Sequence, residues 1–163
     1  MRRSERGFTL VEIMIVVAII ALLAAIAIPN VLRGRTTANE SAAIGNMRAL
    51  LSSLEMYRSV NNVYPNLWTQ MTGANPAFNP APFAGNLLTP GVTVQGFTYV
   101  YTPGAVPVST YTLTGTPQTL NQTGTRAFLI SQNGSVLHCL PAVQGAVPTA
   151  ASVGIDQPAV ACP

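Results

Sequence analysis

Residues Phe8 to Ile28 form a run of 21 in which only Thr9 and Glu12 are polar. A helix rises about 1.5 Å per residue, so this run spans about 31 Å, the thickness of the hydrocarbon core of a bilayer. Arg2, Arg3 and Arg6 precede it. A positive flank of this kind stays in the cytoplasm, which directs everything after Ile28 outward. Glu12 is the anomaly within the run, because an ionisable group in hydrocarbon is costly unless it is paired. A cleavable secretory signal is the competing reading, with Ala25-Ile26-Ala27 as its small-x-small site. Glu12 is a poor choice for a disposable apolar segment, and the helical pattern that continues beyond the run also weighs against that reading.

Beyond Pro29 the pattern turns amphipathic. Ile44, Met47, Leu51, Leu54 and Arg58 recur at a 3-4-3-4 spacing, and Leu50, Tyr57 and Val60 widen the stripe. This period predicts a helix over 29–60 with one face available to a core. Proline lacks an amide hydrogen and crowds the preceding turn, so a bend or loosening is expected at Pro29. Two helices separated by a break between Pro29 and Gly34 are the alternative. Asn61, Asn62 and Pro65 stop the helix, and a loop is predicted over 61–96.

From Gly73 onward 11 Pro and 10 Gly fall among 91 residues, a share close to that of disordered chains. Strand periodicity argues against disorder. Between Gln95 and Thr102, Phe97, Tyr99 and Tyr101 alternate with Thr98, Val100 and Thr102; between Ser109 and Thr114, Tyr111 and Leu113 alternate with threonines. Arg126–Gln132 and Ser135–Cys139 flank Asn133-Gly134, a pair that tolerates the positive φ of a tight hairpin turn. The expected fold is α+β: a long N-terminal helix packed on a small antiparallel sheet over 97–140, followed by a tail over 141–163. Ten of the eleven aromatics lie between Tyr57 and Phe128, mostly on the predicted core faces.

Charge narrows the function. Only 8% of the 163 residues are charged, against roughly 25% in an ordinary soluble domain. The net charge of +3 comes from eight Arg and no Lys, and beyond Arg58 only Arg126 and Asp156 carry a fixed charge. The charge distribution weighs against a nucleic-acid enzyme with a basic cleft, and no specific nucleic acid is expected as partner. With one His and one Asp, catalytic clusters are nearly excluded too; no catalytic residue, metal site or cofactor is assigned. His138 with Cys139 and Cys162 falls short of a closed zinc site, and a triad through Asp156 lacks any nucleophile motif.

The stretch Gly7-Phe8-Thr9-Leu10-Val11-Glu12, followed by the apolar run and Pro29, resembles the N-terminus of type IV pilins and the related pseudopilins, the class III signal family. The close match covers roughly the first 35 residues. The resemblance implies that residues 1–7 are a leader removed by a prepilin peptidase between Gly7 and Phe8, and that the new Phe8 amine is methylated. It implies that 8–28 serves as transmembrane and assembly helix. Glu12 of one subunit would then pair with the Phe8 amine of its neighbour, fixing axial register; pairing with its own Phe8 amine is the alternative. The implied partners are identical subunits, the peptidase and methyltransferase, the pilus assembly machinery and the bacterial inner membrane before assembly. The implied destination is an extracellular pilus, with Pro29 allowing the packed helix to melt locally.

Cys139 and Cys162 are the only cysteines. Both lie outside on the predicted topology, where such a pair reads as a disulfide, here tying the tail to the last strand. This is similar to the C-terminal disulfide loop of many pilins. The pseudopilin branch of type II secretion typically carries an acidic calcium loop instead; Asp156 is the sole acid after Glu55, too few carboxylates for that ion. The sequence therefore favours a pilin. A pseudopilin or minor pilin is the first alternative. An inner-membrane-anchored or secreted monomeric binding domain is the alternative of another class.

Overall fold

A computed structural model describes residues 7–73, 77–88, 90–149 and 152–162; leader residues 1–6 lie outside the described residues. The chain comprises two units, Met1–Arg35 and Thr36–Pro163. Helix α1 spans Leu10–Asn61 and belongs to both. It is helical through Pro29 and Gly34, so the alternative of two helices with a break there does not hold. Proline removes one hydrogen bond, and its neighbours Ala27, Ile28, Val31 and Leu32 carry no second breaker. In the first unit the large apolar side chains from Phe8 to Leu32 are exposed.

In the second unit α1 buries Glu40, Ala43, Met47, Leu50, Ser53, Leu54 and Tyr57. The buried row is therefore 43-47-50-54-57, and the stripe expected from sequence is rotated. Ile44 and Leu51 lie at its flank, half-buried, while Arg58 and Val60 are exposed. Fully burying a leucine contributes about 2 kcal/mol, and Leu50 and Leu54 are both fully buried. At the end of α1 Arg58 donates to the Tyr64 hydroxyl at 3.0 Å, which donates to Glu55 at 2.6 Å. That triad fastens the following chain against the helix.

The segment after α1 is more ordered than a loop. It holds a short helix α2 (Thr69–Thr72), a 3-10 turn (Ala81–Phe83) and an edge strand β1 (Val92–Val94). Trp68 Nε1 donates to Phe83 O at 3.2 Å and the Tyr101 hydroxyl to Pro65 O at 2.8 Å, so buried aromatics hold this segment through their polar atoms. The sheet continues with β2 (Phe97–Pro103), β3 (Tyr111–Pro117), β4 (Ala127–Ser131), β5 (Val136–Leu140), β6 (Val153–Gly154) and β7 (Val160–Ala161). Neighbours from β1 to β6 pair in chain order and antiparallel; β7 pairs with β5 in parallel. The expected antiparallel sheet on the long helix is present, and it extends beyond 97–140 because β1 and the tail also supply strands, β7 in parallel.

The inward face of the sheet carries Phe97, Tyr99 and Tyr101 of β2, Tyr111 and Leu113 of β3, Phe128 and Ile130 of β4 and Val136 of β5, all in one core with α1. Gly115 is an inward residue that leaves room for the helix: a Cβ there would sit 3.1 Å from Met47 Sδ. Asn133-Gly134 closes the β4–β5 turn, with Gly134 at φ 74°, as the sequence predicts. Gln144 fixes the tail by donating to Pro117 O at 2.6 Å and accepting from Leu120 N at 2.7 Å.

Candidate assembly site

The first turn of α1 is built by Thr9 and Glu12. The Thr9 amide and hydroxyl each donate to Glu12 Oε2 at 2.8 Å, and the Glu12 amide donates to Thr9 Oγ1 at 3.2 Å. This reciprocal arrangement is a capping box: it satisfies two orphan amides at the helix start and places a carboxylate at the positive end of the helix dipole. Thr9-x-x-Glu12 ahead of an apolar run is the sequence signature of that motif, so the role of Thr9 was legible and went unread. Phe8, immediately before the cap, is 84% exposed. Downstream, the most apolar 18-residue window of α1 has mean hydropathy 3.0 and no buried residue. Among the described residues this end of the chain offers one carboxylate, Glu12, at the mouth of an uncovered apolar helix. Pro29 lies at the far end of that run.

The second unit holds a different polar constellation. Glu40, 5% exposed, accepts from the Thr125 amide and hydroxyl at 2.7 Å each and from the Arg126 amide at 3.2 Å. Its second oxygen takes Arg126 Nε and Nη2, both at 2.8 Å. Burial pushes the Glu40 carboxyl up, but the Thr125 and Arg126 hydrogen bonds and the guanidinium charge outweigh it and hold the group below the ordinary carboxylate range. Arg126 Nη1 lies 3.4 Å from His138 Nδ1, and His138 Nε2 lies 3.0 Å from Gln157 O. A guanidinium only donates and a carbonyl only accepts, so this geometry matches the tautomer of His138 with its hydrogen on Nε2. Both ring nitrogens are spent on structure.

Cys139 and Cys162 form a disulfide with Cα atoms 4.9 Å apart. The Cys162 amide also donates to Leu140 O at 3.0 Å, so β5, β7 and the bridge fasten the tail together. Among the described residues no three His, Cys, Asp or Glu side chains gather as a metal-binding group. Thus the structure brings Thr9 and Glu12 together at one end and Glu40, Arg126 and His138 together in the head. The Glu40 pairing was missed from sequence because its partners stand 85 and 86 positions away.

Residues 2–28 match the prokaryotic N-terminal methylation motif. The chain is 37% identical over 91 residues to the type IV wide pilus major component PilA4 of Thermus thermophilus, covering 52% of this chain and 70% of that one. It is 37% identical over 83 residues to type II secretion system core protein G of Pseudomonas aeruginosa, covering 50% of this chain and 58% of the relative. Against core protein G of Dickeya chrysanthemi it is 42% identical over 65 residues, covering 40% of this chain and 42% of the relative. The chain thus spans about half the length of these secretion-system relatives. No solved structure matches it significantly. The capped apolar helix, the α+β head and the match to PilA4 together define the class, and the chain belongs to the type IV pilin and pseudopilin family.

Proposed function

We propose that the chain is the structural subunit of a bacterial type IV pilus, made as an inner-membrane precursor and polymerised into a helical filament at the cell surface. The observation that carries this reading is the exposed apolar helix with a single carboxylate at its mouth. Such a surface is stable only in lipid or against other helices, and lateral packing of identical helices without a closing rotation gives a fibre. Cleavage between Gly7 and Phe8 by a prepilin peptidase would create a charged amine one residue before Thr9, which methylation keeps cationic. Glu12 of a neighbouring subunit is then the matching counter-charge in a dry helix bundle, and it sets the axial register that apolar contacts leave free. Pro29, with one backbone hydrogen bond fewer, is the place where a packed helix can loosen. No step of this function uses a catalytic residue.

The second reading, a pseudopilin of type II secretion, is favoured by the several core protein G relatives. Against it stand the disulfide-tied tail and the single acid after Glu55. N-terminal sequencing of the mature chain tests the processing step on which both readings depend. A chain beginning at methylated Phe8 supports them. A chain beginning at Ile28, as a signal cleaved after Ala27 would leave, contradicts both and favours the secreted binding domain.

A further inference from the structure

We infer that the cleft on the outer face of the sheet is a binding site for a neutral oligosaccharide chain. The cleft is half open to solvent, has a volume of about 1000 Å³, and includes Pro103, Gly104, Val147 and Pro148 in its lining. Strand register builds its floor in two rows. Thr102, Thr112 and Ser131 stand side by side across β2, β3 and β4, and next to them Thr114, Leu129 and Leu137 stand side by side across β3, β4 and β5. Neighbouring strands lie about 4.8 Å apart, so the first row is a ladder of hydroxyls and the second is mainly apolar. Among the described residues the Thr102, Thr112 and Ser131 hydroxyls have no intramolecular partner, whereas the Thr114 hydroxyl donates to Val100 O. Gln132 and Asn133 add amide donors and acceptors at the hairpin end.

The ligand class follows from what this floor matches and what it refuses. No charged side chain lines the cleft, so an anionic polymer finds nothing to replace its counterions. An extended peptide binds by adding to a free strand edge, but β3 and β4 are paired on both sides. An acyl chain would leave the hydroxyl row buried and unpaired, which is unfavourable. A pyranose has hydroxyls around its rim and C–H groups on its faces, and it can satisfy both rows at once. All lining residues belong to one unit of one chain, so the inference does not depend on filament formation.

The test is calorimetric titration of the full chain, held in a detergent without a sugar headgroup, with maltohexaose, cellohexaose and chitohexaose, and with hexagalacturonate as the anionic counterpart. At least one neutral hexasaccharide binds saturably and the anionic one does not. Thr112→Val with Ser131→Ala, both away from the core, weakens that binding by about tenfold at unchanged Tm. Should that double variant lose stability, Thr102→Val removes an exposed rung of the same ladder and is read in its place. Binding by none of the three neutral sugars, equal binding of hexagalacturonate, or undiminished affinity in the stable variant overturns the inference.

Discussion

Glu12 has a different partner at each stage of the proposed life of the chain. In the uncleaved chain its carboxylate is occupied by the Thr9 amide and hydroxyl; the proposed cleavage would add a cationic Phe8 amine as a partner for Glu12 of a neighbouring subunit. Glu12→Val is therefore expected to leave a processed membrane protein whose fibre yield falls by an order of magnitude or more, measured by immunoblotting of sheared against cell-bound material. Glu40 carries the comparable charge in the head. Glu40→Ala leaves Arg126 half-buried without its counter-charge and should lower the unfolding free energy by about 3 kcal/mol, while Glu40→Leu with Arg126→Met should recover most of that loss. The pH dependence has a definite sign. The native Glu40 pKa lies below its ordinary value of 4.5, so its stabilisation is present above 4.5 and is lost as pH falls through the depressed native value. Thermal unfolding between pH 6 and 3 should show that loss in the wild type and a weaker one in Glu40→Gln.

The last strands depend on a covalent tie. Strands β6 and β7 have two residues each and share the outer edge of β5, so backbone pairing alone holds the tail weakly. Cys162→Ser should cost about 3 kcal/mol by the loop-entropy argument and free the Cys162 amide for hydrogen exchange, while the β2–β5 amides stay protected. Protection that persisted at the tail would show that the pairing is sufficient without the bridge. The same lengths explain which elements were legible. Strands β2 and β3 are long enough for alternation to show, and Asn133-Gly134 marks the β4–β5 hairpin; β1, β6 and β7 are too short to have a period. The phase of α1 misled, because Ile44, Leu51 and Val60 are as apolar as the residues that face the sheet. The folded structure instead turns the 43-47-50-54-57 row inward, with Met47 packed over Gly115. Thr9-x-x-Glu12 could be read from spacing alone, whereas Glu40 with Arg126 could not, since only the folded sheet brings them together.

Across the whole molecule the charge sorts by role. Residues 1–7, the proposed leader, hold three Arg and one Glu, so the proposed cleavage would take the side-chain balance from 8 − 5 to 5 − 4, or +1. In the proposed mature chain long-range electrostatics would therefore contribute little to recognition, and assembly would fall to the exposed apolar helix. The account's central claim is that this helix, cut at Phe8 and registered by Glu12, polymerises. Electron microscopy of sheared surface material, with mass spectrometry of the subunit's N-terminal peptide, tests it most directly. The prediction is helical fibres built of this chain, each subunit beginning at N-methylated Phe8, with a yield at least about tenfold lower from the Glu12→Val strain. Fibres of normal abundance in that strain, or a chain found only as a monomer in the membrane or the medium, would contradict it.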